Sequence, residues 1–385
     1  MRFEYKPIGD LVQVVNQKNN DLSVTQLIGL SIDKCYIPSV ANVIGTDLST
    51  YKIIKRKQFA CSLMQVSRDE KIPIACMMDY EEAIMSPAYV IFEIIDESIL
   101  LPEYLNMWVM RAEFDREASF LAVGGVRGSL AWEDFCRMKL PVPSIDEQRK
   151  IAATYKTITD RIELKKRIND NLEDQLHCIF IKAFGKEMKL KDALPLGWQR
   201  VEAQDVYDIT IGKTPPRERL ECFTENATDI KWVSISDMGS NGAFILDTAE
   251  KLTPAAVKEF NVKTIPAGTV IYSFKMTNGR TALTTEECAT NEAIAHFRSS
   301  DEALSMYAFC YLSAFRFSDL GSTSSITEAV NSKIIKTMPF ILPPRSELKQ
   351  FHSLVVPIFN QIKQNALELR TLKNLSSTFL SILSC

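Results

Sequence analysis

The sequence predicts an α+β fold: two mixed domains in a pseudo-two-fold arrangement, separated by a pair of long antiparallel coiled-coil helices. An internal repeat is the first observation behind this prediction. Residues 138–180 align with residues 338–380 without a gap at a shift of about 200 residues, and Met138 meets Met338. A period this long exceeds that of solenoid repeats. The second observation is that β-rich segments alternate with long helical ones, so we infer that one large unit was duplicated.

The first long helix is predicted over residues 144–185. Ser144 and Glu147 have the spacing of a capping box. Neither Gly nor Pro interrupts the run before Gly185, which suits a helix end. A heptad stripe with two polar positions at its centre follows the spacing of a coiled coil, and it consists of Ile151, Tyr155, Ile158, Ile162, Lys165, Asn169, Leu172, Leu176 and Ile179.

The second long helix is predicted over residues 344–385. Pro344 replaces the capping serine, and Pro357 should bend the helix or shift its start. Its stripe consists of Phe351, Val355, Ile358, Ile362, Asn365, Leu369, Leu372, Ser376 and Phe379. The two stripes bury each other most simply when the helices are antiparallel. Lys165 then faces Asn365, and this polar pair would fix the register of the helices.

The remaining segments, 1–143 and 186–343, are predicted to be two α+β domains. Short apolar runs in them alternate or are rich in β-branched residues, as strands are, and the clearest are 52–57, 59–64, 89–95, 230–236 and 270–274. Asn278-Gly279 between two such runs is typical of a β-hairpin turn. The predicted order along the chain is therefore domain, helix, domain, helix.

Composition narrows the possible functions. The chain has 385 residues, of which 46% are hydrophobic and 24% charged, as in ordinary globular proteins. Nine cysteines form no C-x-x-C pair and only three histidines occur, so a zinc site or a disulfide framework is not expected. No apolar run reaches membrane-spanning length and no targeting segment is recognised, so a cytoplasmic location is expected. A net charge of −3 counts against a free-standing DNA binder.

Sequence signatures of covalent catalysis are missing. Gly212-Lys213-Thr214 resembles the end of a phosphate-binding loop, but Tyr207 stands where that loop needs its first glycine, and Pro215 follows directly. The sequence has no Gly-x-Gly turn after a predicted strand, no Asn-Pro-Pro-aromatic tetrad and no Pro-Asp pair. We therefore expect no catalytic residue and no bound cofactor or metal on this chain.

Residues in both predicted domains are candidates for DNA binding. Around the hairpin turn they are Lys275, Thr277, Asn278 and Arg280, with Lys213 and Thr214 as companions. A two-stranded ribbon fits the major groove, where Arg and Asn pair with bases through two hydrogen bonds. In the first domain the candidates are Lys55, Arg56, Lys57, Arg68 and Arg127. The alternative interpretation is a solvated hairpin tip, a lysine-protected strand edge and a plain surface loop.

Several motifs resemble those of the specificity subunit of type I restriction–modification systems. Leu140–Pro143 followed by Glu147–Ile151, and Phe184-Gly185 at the exit of the helix, resemble the first repeated region of that family. Leu342–Pro344 with Glu347 resembles the second copy, where Leu348 replaces the expected Gln. Five further segments resemble successive motifs, which we call stations, of the target recognition domains in that family. They are Ser86–Tyr89, Pro195–Trp198, Gly212–Pro215, Lys231–Met238 and Ala289–Ile294.

The resemblance implies a role and a set of partners. Target recognition domain 1 (1–143) and target recognition domain 2 (186–343) would each read one half of a split double-stranded DNA target, with helices 144–185 and 344–385 as spacers. Two methylation subunits would supply S-adenosylmethionine and adenine methylation, and restriction subunits would supply ATP- and Mg-dependent cleavage. Two alternatives remain: a single-chain methylase or nuclease with degenerate motifs, and a coiled-coil scaffold that does not bind DNA.

Overall fold

Two compact units make up the chain in the computed structural model, which describes residues 4–39, 45–185, 193–275, 279–315 and 331–383. The first unit contains residues 1–162 and 372–385, and the second contains residues 163–371. Each unit contains one of the predicted domains together with parts of both long helices. Each long helix is shared between the units because each of its halves packs on a globular body and does not stand alone.

The first unit is mixed α+β. Its strands are β1 (Tyr5–Pro7), β2 (Val12–Val15), β3 (Ile28–Leu30), β4 (Tyr36–Pro38), β5 (Lys52–Lys55), β6 (Phe59–Cys61), β7 (Ile74–Cys76), β8 (Glu82–Met85), β9 (Val90–Ile94) and β10 (Lys139–Pro141). Its helices are α1 (Val66–Asp69), α2 (Pro102–Val109), α3 (Ala112–Leu121), α4 (Trp132–Arg137) and the first part of α5 (Ile145–Phe184).

A four-stranded antiparallel sheet in the order β2-β9-β6-β7 organises the first unit. One face of this sheet buries Phe59 and Phe92, whose rings stack at 5.1 Å, against helices α2 to α4. The first turn of α5 is fixed to this core by Gln148, which is fully buried. Its side chain accepts a hydrogen bond from Leu101 N–H at 2.9 Å and donates to the carbonyl oxygen of Ile99 at 2.8 Å.

The second unit is also mixed α+β. Its strands are β11 (Gln199–Glu202), β12 (Asp208–Ile211), β13 (Phe223–Thr224), β14 (Ile230–Val233), β15 (Phe244–Ile245), β16 (Glu250–Leu252), β17 (Val270–Ser273), β18 (Thr281–Thr284), β19 (Cys288–Thr290), β20 (Ile294–Arg298) and β21 (Pro339–Leu342). Its helices are α6 (Ala203–Val206), α7 (Ile235–Asn241), α8 (Pro254–Glu259), α9 (Glu302–Ala314), α10 (Ser332–Lys336) and most of α11 (Arg345–Ile382).

The main sheet of the second unit has the order β12-β20-β17-β18-β15, and its first four strands repeat the pattern of the first unit. Beside it lies a smaller sheet in the order β13-β16-β14-β19, in which β14 and β19 are parallel. Aromatic rings on α5, α9, β21 and α11 fill the core. The centre of the Phe180 ring lies 5.6 Å from that of Tyr307 and 6.0 Å from that of Phe351.

The two long helices begin close to the predicted residues. α5 has 40 residues and α11 has 38. Pro357 lies inside α11, whose start at Arg345 it does not shift. In the second unit α5 and α11 run antiparallel, since Phe180 meets Phe351 while Lys165 Nζ donates to Asn365 Oδ1 at 2.9 Å. In the first unit the rings of Tyr155 and Phe379 stack at 6.3 Å.

The strand predicted over 230–236 was wrong in its second half. β14 ends at Val233, and Ser234 begins helix α7. Ser234 Oγ accepts from Asp237 N–H at 3.1 Å, and the Asp237 side chain accepts from Ser234 N–H at 2.8 Å. This reciprocal cap stabilises a helix start and outweighs the apolar alternation. In the first domain the predicted strand 59–64 is shorter, ending at Cys61.

Both units open with the same backbone hydrogen bond. Ile8 N–H donates to the carbonyl oxygen of Met138 at 2.8 Å, and Ala203 N–H donates to that of Met338 at 3.0 Å. In each case a strand before the donor pairs antiparallel with the strand that leads into the long helix. The duplication seen in the sequence is therefore a duplication of backbone pairing.

Candidate nucleic-acid interface

Loops from five places meet at one end of the main sheet in the second unit. Strands β12, β14, β17 and β19 end there, whereas β18 and β20 begin there, as their pairing registers require. We refer to these residues as the second loop cluster: Gly212–Thr214, Ser234–Ile235, Phe274–Lys275, Gly279–Arg280 and Asn291–Glu292. Three of the family-like stations of the sequence contribute to this cluster.

Backbone hydrogen bonds between the loops fix the second loop cluster. Lys213 N–H donates to the carbonyl oxygen of Thr290 at 2.9 Å, and Phe274 N–H donates to that of Ala293 at 2.9 Å. Asn291 N–H donates to the carbonyl oxygen of Val233 at 3.0 Å. The loops therefore form one pre-organised surface and do not act as separate flexible arms.

Gly212 is required where β12 enters the cluster. A Cβ atom at this position would overlap Thr290 Oγ1 and the carbonyl oxygens of Thr290 and Asn291. The next residue, Lys213, is exposed, but its Nζ donates to the carbonyl oxygen of Phe260 at 2.6 Å. Buried Trp232 donates its Nε1–H to the carbonyl oxygen of Lys213 at 3.2 Å. Lys213 is thus held as a fixed positive charge at the surface.

Thr214 lies beside Lys213 but engages an acidic neighbour. Its hydroxyl donates a hydrogen bond to the Glu292 carboxylate. Glu292 is exposed and adds a negative charge to the cluster. The predicted companions Lys213 and Thr214 are therefore brought together, although they do not form a purely basic surface.

The predicted hairpin is present, and its base carries two cations. Ser273 N–H donates to the carbonyl oxygen of Arg280 at 2.9 Å, and Gly279 has a φ of 97°. Arg280 Nη1 donates to the carbonyl oxygen of Ile235 at 2.6 Å, so the guanidinium lies against α7 and this bond uses one of its five N–H donors. Lys275 is exposed, with Nζ 5.5 Å from the centre of the Phe274 ring. Thr277 and Asn278 lie outside the described residues.

A buried histidine connects the strands that carry the second loop cluster. His296 is fully buried, with Thr210 Oγ1 at 2.7 Å from Nδ1 and Thr290 Oγ1 at 2.7 Å from Nε2. Burial lowers the pKa of His296 from 6.5 to about 4. The imidazole in β20 is therefore hydrogen-bonded to both β12 and β19 and adds no charge at neutral pH.

The first unit has a corresponding set of loops at the same end of its sheet. Ser62 N–H donates to the carbonyl oxygen of Pro73 at 2.9 Å, as Ser273 does to Arg280 in the second unit. We refer to these residues as the first loop cluster: Asn16–Lys18, Lys52, Ser62–Arg68 and Ser86–Tyr89. The family-like station Ser86–Tyr89 immediately precedes β9, as Ala289–Asn291 precedes β20.

Arg68 in helix α1 and Arg127 lie on neighbouring segments of the first unit. Leu130 N–H donates to the carbonyl oxygen of Leu63 at 2.9 Å, and a Cβ at Gly128 would be 3.5 Å from Arg68 N. The backbone of Arg127 has a left-handed φ of 58°. The side chain of Arg68 donates a hydrogen bond from Nε to Asp69 Oδ1 at 2.7 Å. The structure therefore brings Arg127 close to Arg68, which belongs to the first loop cluster.

The basic run Lys55–Lys57 lies at the opposite end of the sheet. Lys57 N–H donates to the carbonyl oxygen of Met77, at the end of β6 remote from Ser62. Two of these cations are paired with carboxylates: Lys57 Nζ lies 2.6 Å from Glu97, and Arg56 Nε lies 2.7 Å from Glu81. The run of basic residues suggested a site here, but the fold separates this run from Arg68 and Arg127.

Two further cations belong to the first loop cluster: Lys52, which the sequence grouped with the basic run Lys55–Lys57 but not with the proposed readers, and Lys18, which the sequence did not single out. They face each other as a β-bridge between the end of β2 and the start of β5. The polar run 16–20 directly after β2 was the available signal. It could not be recognised from the sequence because its partner strand lies more than thirty residues further along the chain.

Comparison with known proteins identifies the family. A family described as the type I restriction modification DNA specificity domain matches residues 3–174 and 195–373, one copy in each half of the repeat. The chain therefore belongs to the type I restriction–modification DNA specificity family.

Individual relatives agree with this family. The type I restriction enzyme HindI specificity subunit of Haemophilus influenzae is 22% identical over an alignment of 376 positions. The match covers 78% of this chain and 80% of the relative. The MjaIX specificity subunit of Methanocaldococcus jannaschii is 23% identical over 304 residues, which cover 74% and 69%. The crystal structure of a type I S subunit from M. genitalium has the same fold, with a TM-score of 0.55, 13% identity and coverage of 100% and 96%.

Two further observations concern the described part of the chain. Its residues contain no group of three or more His, Cys, Asp or Glu side chains placed to hold a metal ion. In that same part, no helix combines the length and the apolar character that crossing a lipid bilayer requires.

Proposed function

We propose that this chain reads a bipartite double-stranded DNA target as the specificity subunit of a type I restriction–modification complex. Each recognition domain reads one half-site, and the bases between the half-sites are not read. The observation that carries this proposal is the duplication of a loop cluster on the same sheet scaffold, with Ser62–Pro73 in one unit and Ser273–Arg280 in the other.

The chemistry of the second loop cluster fits a base-reading surface. It presents Lys213, Lys275 and Arg280 at the ends of strands, and among the described residues the Arg280 guanidinium uses one of its five donors, in the bond to Ile235. Arg and Lys can donate to guanine, and a two-stranded ribbon enters the major groove. Thr277 and Asn278 remain predicted base readers at the tip of the same hairpin.

Partner chains complete the proposed activity. Two methylation subunits docked on this chain would bring S-adenosylmethionine and methylate adenine, and restriction subunits would bring ATP and Mg. The chain itself supplies sequence recognition and no catalytic residue. Because partner chains share the phosphate contacts, the net charge of −3 is compatible with DNA binding.

Selection from a random pool of DNA duplexes tests the proposal. The full-length chain, purified with its methylation subunit, should recover two short motifs separated by a spacer of fixed length. Recovery of one continuous motif, or of no motif, would contradict it. Binding of S-adenosylmethionine by the chain alone would favour the rival reading, a single-chain methylase.

A further inference from the structure

The first loop cluster holds two lysines directly opposite each other. Lys18 and Lys52 are β-bridge partners, flanked by hydrogen bonds from Ile53 N–H to the carbonyl oxygen of Gln17 at 2.7 Å and from Asn19 N–H to that of Tyr51 at 2.9 Å. The bridge places both lysines at the same loop end of the sheet, and ammonium groups suit contacts with phosphate oxygens.

Carboxylates do not neutralise this pair. Among the described residues, neither Lys18 nor Lys52 forms a salt bridge, whereas Arg56, Lys57 and Arg68 each have an acidic partner. Lys52 Nζ donates to the carbonyl oxygen of Tyr89 at 2.7 Å, and burial lowers the pKa of this ammonium. Lys18 is exposed. Within the described residues, these two lysines therefore place positive charge without a carboxylate partner at the loop end of the sheet.

Lys18 also occupies the position that Lys213 holds in the second unit. The offset from Ile8 to Lys18 equals the offset from Ala203 to Lys213, both counted from the equivalent backbone donors. The strands between them have matching registers, since Val14 pairs with Phe92 and Ile209 pairs with Phe297. The duplication thus places a lysine at the same exit from both sheets.

One residue earlier the two units differ. Gly212 cannot carry a side chain because a Cβ would overlap Thr290 and Asn291. Its counterpart, Gln17, is exposed, and its backbone is fixed by the bond from Ile53. A glutamine amide can pair with adenine through two hydrogen bonds in the major groove. A side chain of this kind on a fixed backbone suits base reading.

We propose that Lys18 and Lys52 bind the phosphate backbone of the first half-site and that Gln17 reads a base in it. This inference rests on the proposed function and moves the DNA-contacting surface of the first domain away from Lys55–Lys57. Gln17 then contributes sequence preference at a position where the second domain offers only backbone.

The test uses the full-length chain with its methylation subunit and a random pool of DNA duplexes. Gln17→Ala should reduce the preference at one base of one half-site by roughly 5- to 150-fold and leave the other half-site unchanged. Lys18→Gln should weaken binding to all selected duplexes about equally and reduce the slope of log affinity against log salt by about one.

Lys57→Gln is the matched control, since it removes an exposed lysine at the other end of the same sheet and should change neither readout. If the wild-type complex selects a bipartite motif and both Gln17→Ala and Lys18→Gln behave like it, the inference is overturned while the proposed function stands. A stronger effect of Lys57→Gln than of Lys18→Gln would also overturn it. A wild-type complex that selects no motif would overturn both.

Discussion

Lys165 Nζ donates a hydrogen bond to Asn365 Oδ1 at 2.9 Å, and the two residues are separated by 200 positions, the period of the internal repeat. Each is therefore the other's copy in the duplicated sequence. Residues that meet their own copies lie at the centre of an antiparallel pairing. Asn365 Nδ2 also donates to Asn169 Oδ1 at 2.8 Å, and Lys165 lies 2.9 Å from Glu368. A polar layer thus interrupts the apolar stripe of α5 and α11.

Removing the buried amide should destabilise the helix pair. Asn365 is 1% exposed. Asn365→Leu should lower the free energy of unfolding by about 1–3 kcal/mol because Lys165 and Asn169 lose a partner. Adding Lys165→Met should restore part of this loss, since no charge then faces the leucine. Urea unfolding of the full chain measures both changes.

The control for this pair is Lys156→Met, which removes an exposed ion pair with Asp160 on α5. Such pairs contribute about 0.5 kcal/mol or less. Equal stability of Asn365→Leu and the wild type would show that the polar layer does not hold the helices in register.

Gln148 should contribute strongly to the stability of the folded chain at the start of α5. It is fully buried and bonds Leu101, Ile99 and Pro143 through its side chain. Gln148→Leu would leave those backbone groups without partners, so we expect a loss of about 1–3 kcal/mol or more in urea unfolding.

The repeat offers a natural comparison for Gln148, because Leu348 holds its place in the second copy and is buried in an apolar core. Gln361→Leu, a polar-to-leucine change on α11 that removes a bond to Asn365, should cost less. The role of Gln148 is refuted if Gln148→Leu unfolds at the wild-type urea concentration.

His296 should make stability depend on pH. Its pKa is lowered from 6.5 to about 4 in the folded chain by burial, so between these values the unfolded chain binds the extra proton. The free energy of unfolding therefore falls as pH decreases through this window, by about 2 kcal/mol between pH 7 and pH 5. His296→Gln should lose this part of the slope.

Urea unfolding of the wild type and His296→Gln at both pH values measures the difference in slope, in which the titration of other groups cancels. Parallel slopes for the two proteins would mean that His296 titrates as an ordinary exposed imidazole does.

Arg280 should determine one base of the second half-site. Arg280→Ala is expected to relax the preference at one position by about 1–3 kcal/mol, as read from duplexes selected by the complex. Arg280→Lys should not restore it, since lysine lacks the planar two-donor geometry. Arg298→Ala, at the opposite end of β20 and paired with Asp208, is the control. An unchanged target motif in Arg280→Ala would contradict the assignment.

The local features were accessible from the sequence because their signals are local. Gly279 takes the left-handed φ that the hairpin turn requires, and α5 and α11 each begin one residue after the predicted start. Alternation alone predicted too long a strand over 230–236. Ser234 and Asp237 have the spacing of a helix cap, and this cap begins α7 where the alternation would continue the strand.

The DNA-contacting surface that we propose for the first domain could not be found in the same way. Lys57 is basic in the sequence, but Glu97 neutralises it from 40 positions away. Lys18 becomes notable only when β2 and β5 are paired and Lys52 is seen opposite. Charge compensation and the ends of sheets depend on long-range pairing, which periodicity does not encode.

Sequencing of methylated adenines in cells that express this chain with its methylation subunit is the most direct measurement of two-domain reading. We expect methylation within a motif of two short parts separated by a fixed number of unread bases, and a substitution at Arg280 that alters one part while the other part and the spacer length stay unchanged. Methylation at a single continuous motif, or a change in both parts on substitution of Arg280, would contradict it.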